Sequence, residues 1–118
     1  MTAATDIQPD ALPATIRRFL AAHVAGDTDT AIAAFDGDAV VVDQGRTFSG
    51  TDELLDFLHK AGSEFTYTTE LVGAERIDDE HWVAHNRLEG DFPGGVADLA
   101  YRFTVGVDGL VTELVIAG

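Results

Sequence analysis

The stretch Asp38-Ala39-Val40-Val41-Val42-Asp43-Gln44-Gly45-Arg46-Thr47-Phe48-Ser49-Gly50 decides how this chain is read. Three consecutive valines, bracketed by Asp36-Gly37-Asp38 and by Gln44-Gly45, predict a buried strand of about five residues with loop punctuation at both ends. That strand ends in a carboxylate. In one reading Asp43 projects into a pocket and acts as a base, its proton affinity set by apolar surroundings. In the other it caps the following turn, because an Asp side chain readily bonds backbone N–H groups two residues on.

On the N-terminal side, residues 1–9 read as a loose tail and residues 10–118 as a single domain. Asp10 or a neighbour is expected to cap a helix with Pro13 near its first turn. Leu12, Ile16, Phe19, Leu20, His23 and Val24, three and four apart, form one stripe of that helix. Gly26 should stop it, and Asp27-Thr28-Asp29-Thr30 supplies caps for a short second helix carrying Ala31, Ile32, Ala34 and Phe35. On the C-terminal side, Ser49-Gly50-Thr51-Asp52-Glu53 starts a third helix. Its buried face is Leu54, Leu55, Phe57 and Leu58, and Gly62 closes it.

Beyond Gly62 the spacing changes from helical to alternating, in four segments separated by turn residues. From Glu64 to Ile77, Phe65, Tyr67, Thr69 and Leu71 share one face. From Glu80 to Gly90, Trp82, Ala84, Asn86 and Leu88 face inward, with Asn86 the polar intruder. After Asp91-Phe92-Pro93-Gly94-Gly95, the inward set is Ala97, Leu99, Tyr101, Phe103 and Val105. Asp108-Gly109 then turns the chain into Leu110, Thr112, Leu114 and Ile116, which alternate with Val111, Glu113 and Val115. Short turns between consecutive segments imply an antiparallel meander with helices over its apolar face, and the fold class is therefore α+β.

Composition narrows the function. The 118 residues suffice for one domain with a sizeable core, and the absence of cysteine excludes disulfides, thiolate metal sites and cysteine nucleophiles. Twenty-one acidic residues against seven basic ones give a formal charge of −14, which repels phosphate backbones and anionic lipid. Nucleic acid and membrane are thus not expected as partners. No apolar run approaches the ~20 residues that span a bilayer, and the first ten residues lack the basic and apolar regions of a signal peptide, so a cytoplasmic location is expected.

The order of two helices, an acid-ended strand, a third helix and an antiparallel sheet resembles the nuclear-transport-factor-like superfamily. Its members are cone-shaped α+β barrels in which three N-terminal helices pack on a curved antiparallel sheet. Local wording is similar to the SnoaL-like and ketosteroid-isomerase-like members. It comprises Phe19-Leu20-Ala21-Ala22-His23-Val24-Ala25-Gly26-Asp27, Ala34 through Asp43, Phe48-Ser49-Gly50-Thr51, Tyr101-Arg102-Phe103 and Asp108-Gly109. The resemblance runs from about Leu12 to Ile116. It implies that Asp43 occupies the position of the base that removes a proton next to a carbonyl. The enolate-stabilising donors do not carry over, because Phe19 and Leu99 stand in their places and neither can donate a hydrogen bond. Loss of such a donor costs roughly 3 to 4 kcal/mol in barrier height, which argues against steroid isomerisation by the family route. Ring closure of the SnoaL-like kind keeps an acid base in an apolar pocket and is less affected. The Asp-Arg-Asp arrangement of the related epoxide hydrolases has no counterpart, since Arg87 and Arg102 alternate outward.

The expected pocket lies between the sheet and the first and third helices. Asp43 is the candidate catalytic residue, and Phe19, His23, Trp82, Asn86, Leu99, Tyr101, Phe103 and Leu114 are the candidate ligand contacts, with Leu88 also on the wall. Each has a plainer reading: the large aromatics as core, His23 as a satisfied core histidine, Asn86 as a packed amide. Tyr101 could supply an acidic hydroxyl from a new position. His81 and His85, two apart on the outer face, lack a third ligand, and no metal or cofactor is expected. The outer face mixes Val83, Val111 and Val115 with His85, Arg87, Arg102 and Glu113, which suggests two sheets packed in a homodimer. The functional expectation is an apolar small-molecule pocket, with isomerase or cyclase chemistry on Asp43. A non-catalytic binding or dimerisation module is the alternative.

Overall fold

A computed structural model describes residues 4–61 and 67–118. In chain order the elements are strand β1 (Thr5–Ile7), a 3-10 turn (Pro9–Ala11), helices α1 (Ala14–Ala25) and α2 (Thr28–Ile32), strands β2 (Phe35–Asp43) and β3 (Arg46–Ser49), helix α3 (Thr51–Ala61), and strands β4 (Tyr67–Arg76), β5 (His81–Gly90), β6 (Val96–Val105) and β7 (Val111–Ala117). Seven strands form one sheet in the order β1-β4-β5-β6-β7-β2-β3. The expected closure of α3 at Gly62 and the inward Phe65 lie outside the described residues. Among the described residues, no helix is long and apolar enough to cross a membrane.

The helix termini follow local chemistry. Gly26 adopts a left-handed conformation (φ 71°) and its N–H bonds back to the carbonyls of Ala22 and His23, which ends α1. Asp27 caps α2, accepting from the Thr30 amide at 3.2 Å and the Thr30 hydroxyl at 2.7 Å. Glu53 reaches back from α3 to the Ser49 amide at 3.1 Å. Asp10 does not cap α1: it lies in the 3-10 turn, and Pro13 occupies the cap position with no side-chain bond.

Four further differences from the sequence reading have a common origin in strand pairing, which local periodicity does not record. Thr5–Ile7, inside the stretch read as tail, pairs antiparallel with Ala74–Arg76. The central strand is nine residues long and takes in Asp36-Gly37-Asp38, with an irregularity before Val40. It joins the sheet parallel to β7, Val41 opposite Leu114 and Asp43 opposite Ile116, so the sheet is mixed and not antiparallel throughout. Its other neighbour is β3, formed by the residues expected only as a polar turn.

Two bulges alter the alternation. Between Leu71 and Gly73 the register of β4 against β5 shifts, which leaves Val72 exposed and moves the inward position to Ala74. Between β6 and β7 the register shifts at Thr104/Val105, pairing Val105 with Val111. Val111 is consequently fully buried in the core, which takes it off the outer face on which the homodimer expectation drew. The core joins α1, through Ile16, Phe19 and Leu20, to the sheet. The Phe19 ring meets Phe35 edge-on at 5.2 Å and Phe103 at 5.8 Å. The Thr15 hydroxyl ties the start of α1 to the β6–β7 turn by donating to the Gly109 carbonyl at 2.7 Å.

Candidate functional site

A cavity of about 540 Å3 opens where the end of β2 meets α1, α3 and the inner faces of β4 to β7. Its polar groups come from four places in the chain. β2 delivers Asp43 at its last position, and the Gln44-Gly45 turn that follows has both residues at positive φ (50° and 86°). This two-residue loop with left-handed backbone is the kind that matches strand twist, and it folds Arg46 back opposite Asp43. The Gln44 amide donates to the Ile116 carbonyl at 2.9 Å and so fixes the turn against β7. From α1 comes His23, from β4 Tyr67, from β6 Tyr101; Phe57, Leu88, Leu99 and Ile116 supply apolar wall.

The electrostatics of these groups are coupled through burial. Desolvation raises the Asp43 carboxyl above its ordinary value, and the Arg46 guanidinium pulls in the opposite direction. Tyr101 is almost fully buried. Desolvation, then Tyr67, then Asp43 push its hydroxyl far above the usual phenol range, so it stays protonated and available as a donor. Tyr67 is raised by desolvation first and by Asp43 second. Burial lowers His23, favouring the neutral imidazole. That ring is stacked between Phe19 at 5.4 Å and Phe57 at 5.9 Å, nearly parallel to both. The arrangement is one carboxylate of increased basicity sharing a cavity with two protonated phenols and a neutral imidazole, amid apolar side chains. Such a set can take a proton from carbon and donate hydrogen bonds to an oxygen that becomes negative.

Of the residues singled out from sequence, Asp43, His23, Leu88, Leu99 and Tyr101 line this cavity. Asn86 does not; it lines a second cavity, together with His23 and Tyr101. Phe19, Phe103 and Leu114 line neither and are packed in the core at 0, 1 and 0% exposure. Trp82 is also in neither cavity, lying partly buried against the core. An inward position on a strand is occupied either by packing or by a pocket wall, and alternation does not distinguish the two. His81 and His85 are each bound to a carboxylate, Asp78 at 2.7 Å and Glu75 at 2.6 Å, with side chains more than two-fifths exposed.

Nine lining residues were absent from the sequence-derived set, three of them with side chains that bear on the chemistry or close the wall beside His23: Arg46, Phe57 and Tyr67. Signals for two of them were present. A two-residue turn at Gln44-Gly45 places Arg46 directly across from Asp43, and Tyr67 alternates with Thr69 and Leu71 on the inward face.

No protein-family model matches the chain, and no curated protein matches it. Solved structures do. A "putative polyketide cyclase" from Sinorhizobium meliloti superposes with a TM-score of 0.86 at 29% identity, over 94% of this chain and 100% of that one. A hypothetical protein with a ketosteroid isomerase-like fold from Catenulispora acidiphila, in complex with trimethylamine, gives 0.77 at 15% identity over 90% and 85%. An NTF2-like protein of unknown function from Cytophaga hutchinsonii gives 0.70 at 9% identity over 87% and 85%.

Proposed function

For a chain that belongs to the nuclear-transport-factor-like superfamily, we propose a small-molecule-binding function of the SnoaL-like kind. Asp43 acts as general base on an apolar ligand that carries a carbonyl. The carboxylate removes a proton from the carbon next to that carbonyl. The electron pair moves onto the carbonyl oxygen, where the Tyr101 hydroxyl donates a hydrogen bond, and the proton returns at another carbon or the enolate attacks a second carbonyl and closes a ring. The first outcome is isomerisation, the second cyclisation. The observation that carries this reading is the shared cavity of Asp43 and Tyr101, the carboxyl made more basic by burial and the phenol held protonated. Tyr101 supplies a donor from a position other than those occupied by Phe19 and Leu99. The similarity to the Sinorhizobium protein supports cyclase-type chemistry over other reactions that this fold hosts.

The test is exchange of α-protons for deuterium in a panel of enolisable ketones, followed by NMR. Asp43→Asn should lower the rate by roughly 10²- to 10⁴-fold and Tyr101→Phe by roughly 10²-fold or more. Equal rates in the parent and Asp43→Asn proteins would remove the catalytic reading and leave a non-catalytic binder. Val83, at 4% exposure, is already buried within one copy; association of two copies through the outer sheet face, around the partly exposed Val115, belongs to the same proposal. Sedimentation velocity reads it directly.

A further inference from the structure

A second cavity, of about 510 Å3, lies under a different stripe of α1, formed by Arg17, Leu20, Ala21 and Val24. The Pro9–Ala11 turn and the inner faces of β4 and β5 complete it, with Leu71 and Asn86 on the floor. Asn86 is the informative residue. It is 3% exposed, the one buried polar or charged residue among those described, and its strand neighbours in register are Leu71 and Leu99. Among the described residues, no group hydrogen-bonds the Asn86 side-chain amide. Yet no side-chain nitrogen or oxygen there is both sealed and unpartnered, so the amide opens into the cavity space. A carboxamide kept among apolar neighbours requires a partner from outside the chain.

We propose that this cavity is a second small-molecule site, for a neutral and largely apolar ligand with one hydroxyl or carbonyl that pairs with the Asn86 amide. The volume falls within the range of small-ligand pockets. The amide offers two N–H donors and one carbonyl acceptor, which suits a neutral hydroxyl or carbonyl better than an ion. Charges in the lining are of both signs: Asp10 and Arg17 both border the cavity, and the Arg17 Nε already donates to the Leu12 carbonyl at 3.0 Å. Val24 leaves an apolar surface at the mouth, 59% exposed. His23 and Tyr101 line both cavities, so an occupant of the second site touches the same two side chains that the first site uses. This site does not depend on Asp43 acting as a base.

The experiment is a titration of methyl-labelled protein with 2-naphthol, observed by NMR. Saturable shifts are expected at the Leu20, Val24 and Leu71 methyls. Asn86→Leu should weaken the binding at least tenfold. Ala21→Trp, at an exposed helix position that allows the chain to fold, should abolish those shifts while the Leu99 and Ile116 methyls keep their parent positions. Shifts confined to Leu88, Leu99 and Ile116 would overturn the proposal by placing the probe in the first cavity. So would the absence of saturable shifts up to the solubility limit, or parent-like affinity in both variants.

Discussion

Asp43 stands opposite Arg46 in the β2–β3 ladder, so the carboxylate of the main cavity has a cation as its partner across a two-residue turn. Burial raises the carboxyl and the guanidinium opposes that rise. The two effects tune one group in opposite directions, and the turn sets the balance by holding Arg46 in register.

Replacing Arg46 with Gln removes the opposing effect alone. The Asp43 titration midpoint should then rise further, as read from the carboxyl carbon by NMR over a pH series. A fall in the midpoint would show that Arg46 acts on Asp43 through something other than its charge.

Asp43→Asn should make the protein more stable at neutral pH. A carboxyl whose folded-state pKa lies above its ordinary value of 3.8 binds its proton more tightly when folded, so its contribution to stability is present at low pH and is lost as pH rises through that window. Asparagine avoids the loss. Denaturant unfolding at pH 7 should therefore favour the variant, and the difference should shrink at pH 3.5.

His23 has the opposite sign of pH dependence. Its folded pKa lies below 6.5, so the unfolded chain takes up the proton first and stability falls as pH drops below 6.5. His23→Phe keeps a ring between Phe19 and Phe57 and cannot titrate. The unfolding free energy of that variant should change less between pH 7 and pH 5.5 than that of the parent.

Phe103 and Leu99 separate core from cavity wall. Phe103→Ala should cost about 3–5 kcal/mol, since the ring is 1% exposed and packed against Phe19. Leu99 borders the cavity and is only partly buried, so Leu99→Ala should cost about 1–2 kcal/mol. Urea unfolding of both variants checks the order.

Gln44 holds φ at 50°, where a longer L side chain is strained. Asparagine tolerates this conformation and is favoured at the first position of such turns. Gln44→Asn should add about 0.5–1 kcal/mol of stability, measured by the same unfolding experiment.

Much of this was legible in the residues. The stripe from Ile16 to His23, the stop at Gly26, the Asp27 cap and the alternation around Ala84 and Tyr101 each depend on neighbours within a few positions, and each appears in the fold. The parallel joining of β2 to β7, the strand at Thr5–Ile7 and the inward turn of Val111 depend on which strand lies next to which, and on where a bulge falls. No residue type announces those.

By itself, then, the sequence determined an α+β domain with a carboxylate at the end of its central strand, because turn residues and periodicity are local properties. Only the tertiary structure decided which inward side chains fill space and which border it. Phe19, Phe103 and Leu114 became core, while Asp43, Tyr67 and Tyr101 came to share one cavity. The physical reason is that a cavity is a gap between elements, set by register and packing over the whole chain, and burial within it then gives each polar group its chemistry.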